Sequence, residues 1–432
     1  MKAKEVLLLI LIVATGITFY HVHTGKINIG WDLGEFILWE YEEFTFEESH
    51  EVDPPFPSRL KIINSHGEIE IQGTDDEKIY INFQKKIRRK KEENAREIAD
   101  KLKMHLEQGI HQTVITTNRN EFRRKNFDTD FTISLPEGMD IEIENSYGLV
   151  KALKVGNTKI KNSHGKIIAS EIRGELNIQN SYRDVEIESV QSNLELESKY
   201  STVWAKNIKG EAKIIQKHGT VNLENVQKNV EILSPSTEIF GHKLMGAVNV
   251  DSSHEKITLF DVGPTQIKGN KSDVEVDGAM GSVKINNAYG KLKLNNIKGN
   301  IDIEGKSVKI YGRTITGEII SISSSYEDIE LVEFSGKTTI SLNNGNMILD
   351  PISITHPITA QGDYAAIKFF WPQGGKYPIE VRAKNGEIKW KLSEDVSLQE
   401  ENHTSILKAF IQEKEKPSIF LSTTYRDIWI EE

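Results

Sequence analysis

Counting from Tyr147, an aromatic ring or a histidine returns at His164, Tyr182, Tyr200 and His218, at steps of 17, 18, 18 and 18 residues. Continued at that step, the count reaches Ser236, His254, Lys271, Tyr289, Ser307, Tyr326 and Asn344. The first marks close a short recurring element: NSYG at Asn145 to Gly148, NSHG at Asn162 to Gly165 and NSYR at Asn180 to Arg183. Between marks, apolar residues recur at offsets +3, +5, +8, +12 and +14, as in Val185, Ile187, Val190, Leu194 and Leu196, or Leu292, Leu294, Ile297, Ile301 and Ile303. Offset +13 between them is mostly polar, as at Asn177, Glu195, Lys213 and Asp302. This is the alternation of a half-buried strand, twice per unit.

Turn residues fall where the strands need them. Gly occupies offset +10 at Gly174, Gly210, Gly246, Gly281, Gly299, Gly317 and Gly336, and offset +1 at Gly148, Gly165, Gly219, Gly290 and Gly345. A unit of strand, turn, strand, turn is too short for a propeller blade and lacks the helix of a leucine-rich or ankyrin repeat. Its equivalent strands stack in parallel, each coil covering the apolar face of the last. The expected fold is all-β: a single-stranded parallel β-solenoid (β-helix) of about 18-residue coils. Twelve marks at about 4.8 Å per coil imply a rod on the order of 55 Å long. Its open ends require caps, because an unpaired strand edge templates aggregation.

The flanks supply candidates for those caps. In 59–144, INSHGEIEIQG (Ile63 to Gly73) is an early coil-like element, followed by a strand at KIYINFQKKI. Ala95, Ile98, Ala99, Leu102 and Leu106 then share one face of a helix expected over about 88–107. Strands at TVITT and FTISLP complete this N-terminal cap, and the repeats occupy 145–350. Residues 351–432 read as a β-rich C-terminal cap, with echoes of the repeat at GDYAAIKFF, KNGEIKW and TYRDIWI and a short helix around Ser405 to Glu413.

At the N-terminus, Lys2 and Lys4 precede an apolar run from Val6 to Tyr20. Such a run has the form of a signal peptide or membrane anchor within 1–20, with 21–58 as an extracytoplasmic linker and first strands. Its 15 residues cover about 22 Å as a helix, short of the roughly 30 Å hydrocarbon core. Ala14-Thr15-Gly16 is a small-x-small sequence that a signal peptidase can accept. Cleaved or not, the segment places the remainder outside the cytoplasm.

The residues NSHGEIEIQG, a charged helix, FTISLPEGMDIEIENSYG and the Gly-punctuated repeats together resemble the bacterial putative-adhesin, toast-rack-like β-strand repeat family, over roughly 59–350. The resemblance implies an envelope protein, and members often follow an N-terminal membrane segment. Some are associated with envelope-stress systems. It transfers no functional residue, because its motifs mark turns and strands. Degenerate corners at Ser236, Lys271 and Ser307, and the long C-terminal end, depart from the pattern.

Composition narrows the functional classes. A net charge of −10 lacks the basic face that nucleic acid requires, and zero cysteines exclude disulfides, thiolate metal sites and Cys nucleophiles. The corner positions Tyr147, His164, Tyr182, Tyr200, His218, His254, Tyr289 and Tyr326 would line one edge of the rod, either as a structural ladder of like residues or as a ligand-contact edge for sugar rings. His164 and His218 lie three coils apart, on the order of 14 Å, too far to share one ion with bonds of about 2 Å. No metal site or cofactor is expected. The basic clusters Lys85, Lys86, Arg88, Arg89, Lys90, Lys91 and Arg123, Arg124, Lys125 read as a solvated charged face or as a patch contacting anionic lipid or wall phosphate. No GxSxG, HExxH, Walker or dinucleotide fingerprint occurs.

The function these features suggest is a non-enzymatic extracytoplasmic binding or structural module, adhesin-like, of the bacterial envelope. Its partner would be an envelope protein or glycan, with the membrane reached through the N-terminal segment. A regulatory domain in envelope-stress signalling and a polysaccharide-active β-helix enzyme are the alternatives.

Overall fold

The computed structural model describes residues 42–123, 126–392, 396 and 398–432. The signal or anchor segment, and Arg124 and Lys125 of the second basic cluster, lie outside them.

The repeat becomes a β-solenoid with two strands per coil. Residues 194–208 pair in parallel with 212–226 over most of their length, Leu194 opposite Ala212 and Val203 opposite Val221. The same register of about 18 residues carries through 283–297 against 301–315. The corner marks align as counted: Tyr200 faces His218, His218 faces Ser236, and Tyr289 faces Ser307. Residues at +3, +5, +8, +12 and +14 form the core; Val185, Ile187, Val190, Leu194 and Leu196 are all at most 3% exposed. Each such side chain contributes roughly 1.5–3 kcal/mol of hydrophobic burial.

The three-residue step from +5 to +8 breaks the strand period of two, and the backbone shows why. The residue at +7 is left-handed in coil after coil: Lys154, Glu171, Ser189, Asn207, Asn225, Lys243, Asp261, Asn296, Thr314 and Glu333 have φ of 52–63°, and Gly278 has 78°. Each drops out of the ladder, which passes from Ser170–Glu188 directly to Ile172–Val190. The skipped residue resets the pleat, so that +8 points inward. The offset was legible in the sequence; its cause was not, because Lys, Glu and Ser stand there as well as Asn, Asp and Gly. Ser189→Val is expected to cost about 1–2 kcal/mol by the left-handed penalty, and Ser189→Gly to cost no more than a few tenths. Equal urea midpoints for the two variants would refute this account of the position.

Asx side chains tie each coil to the next. Asn157, Asn193 and Asn229 accept, at Oδ1, the backbone N–H of Glu175, Glu211 and Ala247, at 3.0–3.1 Å. At the opposite corner Asp184, Asp273 and Asp328 accept from Thr202, Lys291 and Asn346 at 2.9–3.1 Å. These are turn groups the parallel ladder leaves unpaired.

Both ends are threaded out of chain order. At the N-terminal end the elements are β1 (Glu42–Val52), β2 (Arg59–Ile63), β3 (Ile69–Thr74), β4 (Ile79–Arg89), α1 (Glu92–Lys101), β5 (Met104–Gln108), β6 (Thr113–Thr117), β7 (Phe127–Pro136), β8 (Asp140–Asn145) and β9 (Val150–Leu153). The coil β2–β3 sits between β6–β7 on one side and β8–β9 on the other, parallel to both. Antiparallel β4 on β7, β1 on β4 and β5 on β6 then end the stack. At the other end 419–423 and 428–431 insert between 358–370 and the earlier 379–390, and strand Thr404–Ala409 closes on Ile379–Lys384 antiparallel.

Three expectations need correction. The solenoid is longer than 145–350, since the coils at 59–74 and 419–431 belong to it. The N-terminal helix is Glu92–Lys101 rather than about 88–107. Arg88 and Arg89 end β4, whose buried Ile79, Ile81, Phe83 and Ile87 alternate along a paired strand, and Leu106 faces Ile115 in the β5–β6 hairpin. The helix around Ser405 to Glu413 is instead the strand Thr404–Ala409, fixed by its pairing with Ile379–Lys384.

Candidate functional site

The repeated corner builds a continuous edge. Two residues before most marks, a polar side chain turns inward: Asn145, Asn162 and Asn180 are at most 5% exposed, whereas Gly269, Gly305 and Leu342 stand there before Lys271, Ser307 and Asn344. Asn145 Nδ2 donates to the Gly67 carbonyl at 3.0 Å and the Tyr147 carbonyl at 3.1 Å, and Asn162 Nδ2 to the Gly148 carbonyl at 2.9 Å. Gln216 and Asn287 do the same in later coils, each with two bonds of 2.7–2.8 Å. The mark's own N–H donates to the preceding corner, Tyr147 to Ser65, His164 to Ser146 and Tyr182 to Ser163, at 2.8–3.1 Å. The Asn of NSHG is thus an internal staple, and its His or Tyr is what the corner presents outward.

Those rings stack. His66, Tyr147, His164, Tyr182, Tyr200 and His218 follow one another at centroid separations of 4.5, 4.5, 4.8, 5.7 and 5.0 Å, with interplanar angles of 6–26°. Tyr147, Tyr182 and Tyr200 are 44–54% exposed, and the exposure is at ring edges because neighbouring rings cover the faces. His254, Tyr289 and Tyr326 occupy the same corner further along, separated by Lys271 and Ser307. None of these three makes a ring stack among the described residues.

Two parts of the edge were not expected from sequence. His66 heads the ladder because its coil is threaded next to Tyr147, 81 residues away; the identical NSHG motif was the available signal. Tyr364 and Tyr425 stack at 4.6 Å at the far end, in the GDYAAIKFF and TYRDIWI echoes.

The first basic cluster is largely engaged within the cap. Lys85 is 1% exposed, pairs with Glu48 and donates to the Ala99 carbonyl at 2.8 Å. Lys86 pairs with Asp130 at 2.6 Å, and Arg88 with Asp128 and Glu43 at 2.5 and 3.0 Å. The Asp130 hydrogen bond raises the Lys86 pKa and the Asp128 hydrogen bond that of Arg88. Arg89 donates to the Arg88 carbonyl at 2.6 Å, and Lys91 stands at the N-cap position of α1 with its side chain exposed and making no cap bond. Lys90 and Arg123 are at the surface beside them.

A depression of about 710 Å³ lies on the C-terminal cap among Glu387, Lys389, Glu400, Glu401, His403 and Asp427. Its best-placed carboxylate is already committed. Asp427 accepts from Lys389 Nζ at 2.8 Å and from the Glu387 N–H at 2.9 Å, and these two bonds hold its pKa below the usual range. A general acid for glycoside cleavage needs the opposite shift. Among the described residues no cluster of three His, Asp or Glu side chains is arranged to hold a metal ion, and no helix is long and apolar enough to cross a membrane.

The depressed Asp427 pKa makes the cap acid-sensitive. Its contribution is fully present above the unfolded value of about 3.9 and is lost as pH falls through the lower folded value. Asp427→Asn should therefore flatten the pH dependence of cap unfolding below about pH 4, followed by fluorescence of the cap tryptophans. An acid transition of unchanged slope in that variant would remove the Lys389–Asp427 pair as its cause.

No family model matches the chain, and no curated protein matches it. Two solved structures are similar. One, a putative cell adhesion protein from Clostridium sporogenes ATCC 15579, has 12% identity and a TM-score of 0.20, with 90% of this chain and 99% of that one covered. The other, a putative adhesin from Bacteroides fragilis NCTC 9343, has 12% identity and a TM-score of 0.21, covering 64% and 97%. Superpositions this loose do not equate one coil with another, so neither structure assigns a residue of this chain a role.

Proposed function

We propose that this chain is a non-enzymatic, adhesin-like binding rod of the bacterial cell envelope, held outside the cytoplasm by its N-terminal segment. The observation that carries the reading is the corner edge: a line of outward rings, fixed by buried amide staples, on a rod whose repeat strands over 140–351 are joined by short turns. From His66 to His218 such an edge presents a ring at every coil, which suits a repetitive partner such as a glycan. Weak contacts repeated along a rigid support add through effective concentration. The Lys-flanked run over 6–20 serves in this reading as anchor or export signal.

The deciding experiment passes the chain over immobilised bacterial and host polysaccharides and scores both retention and release of reducing ends. Retention without cleavage is the expected result. Cleavage would replace the proposal with the enzymatic alternative, and no retention on any glycan would remove the glycan as partner.

A further inference from the structure

The ladder also shows where a ring is missing. Between Tyr147 and Tyr182, two coils apart, His164 fills the gap, at 4.5 Å from one ring and 4.8 Å from the other. Tyr289 and Tyr326 are likewise two coils apart on the same corner, since Tyr289 faces Ser307 and Ser307 faces Tyr326. The residue between them has no ring. At strand spacing the two tyrosines stand roughly 9–10 Å apart, the separation that admits one ring elsewhere in the ladder.

Their exposures, 42% and 50%, are close to those of the stacked tyrosines, so both rings are at the surface of the corner. Neither makes a ring or cation contact among the described residues, so no ring stands where His164 stands between Tyr147 and Tyr182. The floor is the half-buried Ser307, whose hydroxyl has no hydrogen-bond partner among the described residues. Exposed Lys306 and Glu327 flank it.

We propose that Tyr289, Ser307 and Tyr326 form a subsite that sandwiches one hexopyranose ring of a glycan. The proposal rests on the glycan-binding reading above and moves its contact from the stacked rings to the gap. In the continuous ladder, neighbouring rings already occupy the faces that a sugar would stack on; at the gap, no ring occupies the place between the two tyrosines. The polar floor and rim favour a sugar over an aromatic side chain, because a pyranose offers apolar C–H faces to the rings and hydroxyls at its perimeter to Ser307, Lys306 and Glu327.

The test uses the full-length protein, both caps included. Saturation-transfer NMR with methyl hexopyranosides and with cello- and chito-oligosaccharides is compared across the parent and four variants. Tyr289→Ala and Tyr326→Ala should each weaken the bound sugar at least tenfold. Ser307→Tyr should abolish binding by completing the ladder, with a melting temperature equal to or above that of the parent, which separates loss of the slot from loss of the fold. Tyr182→Ala, within the stack, should leave binding within twofold. Unchanged binding in Ser307→Tyr would overturn the subsite while leaving the glycan-binding rod standing. Absence of any sugar signal in the parent, together with no retention on polysaccharides, would overturn both. A signal from tyrosinamide that Ser307→Tyr removes, with none from sugars, would overturn the sugar in favour of a protein partner's aromatic side chain.

Discussion

Gly165→Ala should lose about 3–5 kcal/mol of stability, near the upper end of what single substitutions do. A Cβ at Gly165 would lie 1.6 Å from the Gly148 carbonyl oxygen and 2.5 Å from its carbon, both backbone atoms of the preceding coil. Backbone on both sides leaves no rotamer to relieve the clash. The coils would have to separate at that corner, and the Asn162 staple to the same Gly148 oxygen would go with them. Because each coil contacts only its neighbours, the damage should appear as a second, earlier transition in urea unfolding rather than a uniform shift. Gly374→Ala is the control. It has a left-handed φ of +70° but nothing within 4 Å, so only the conformational penalty of about 1 kcal/mol applies. Similar losses in the two variants would show that the corner clash is relieved cheaply.

Replacing the staple itself is the second large effect. Asn145→Ala removes a buried amide that satisfies the Gly67 and Tyr147 carbonyls and leaves both without that donor. The Tyr147 carbonyl keeps its bond from the Gly67 N–H at 3.0 Å, so about 1–3 kcal/mol for the orphaned Gly67 carbonyl and about 0.5–1.5 kcal/mol for the other lost bond give an expected loss of about 2–4 kcal/mol. Asn145 Oδ1 is buried without a partner in the intact corner, so its removal offsets part of this and places the loss toward the lower end of that range. His164→Ala, by contrast, removes an exposed ring from the stack and should cost no more than about 1–1.5 kcal/mol. Thermal melts of the two variants measure the contrast. A larger loss at His164 than at Asn145 would mean that the outer stack, rather than the inner amide, holds the corner.

That contrast bears on how the NSHG element reads in sequence. Three of its four letters look like chemistry, yet the Asn is an internal donor, the Gly is a close approach between coils, and the His is one ring in a stack. The recurrence of Tyr, Ser, Lys and Asn at the His position already pointed to a corner. What the spacing did not disclose was that the rings meet face to face. Ring orientation depends on side-chain rotamers set by the neighbouring coil, which a period of 18 leaves open. The same holds for the basic run at Lys85–Lys91. Its charge was visible, but Lys85, Lys86 and Arg88 find acidic partners on β1 and β7, strands remote in sequence.

The sequence by itself determined the coil. Alternating apolar residues fix which side chains turn inward, glycines fix where the chain bends, and a constant step brings like residues into register. These are local properties, repeated until only one stacking satisfies them all. The tertiary structure decided the ends and the edge. Residues 59–74 lie between 113–136 and 140–153, and 419–431 lie between 358–370 and 379–390, because an open parallel edge is closed by whichever strand reaches it, and local alternation does not encode a neighbour's identity. That threading places His66 on Tyr147 and Tyr425 on Tyr364, and the register of coils leaves Ser307 as the gap between Tyr289 and Tyr326.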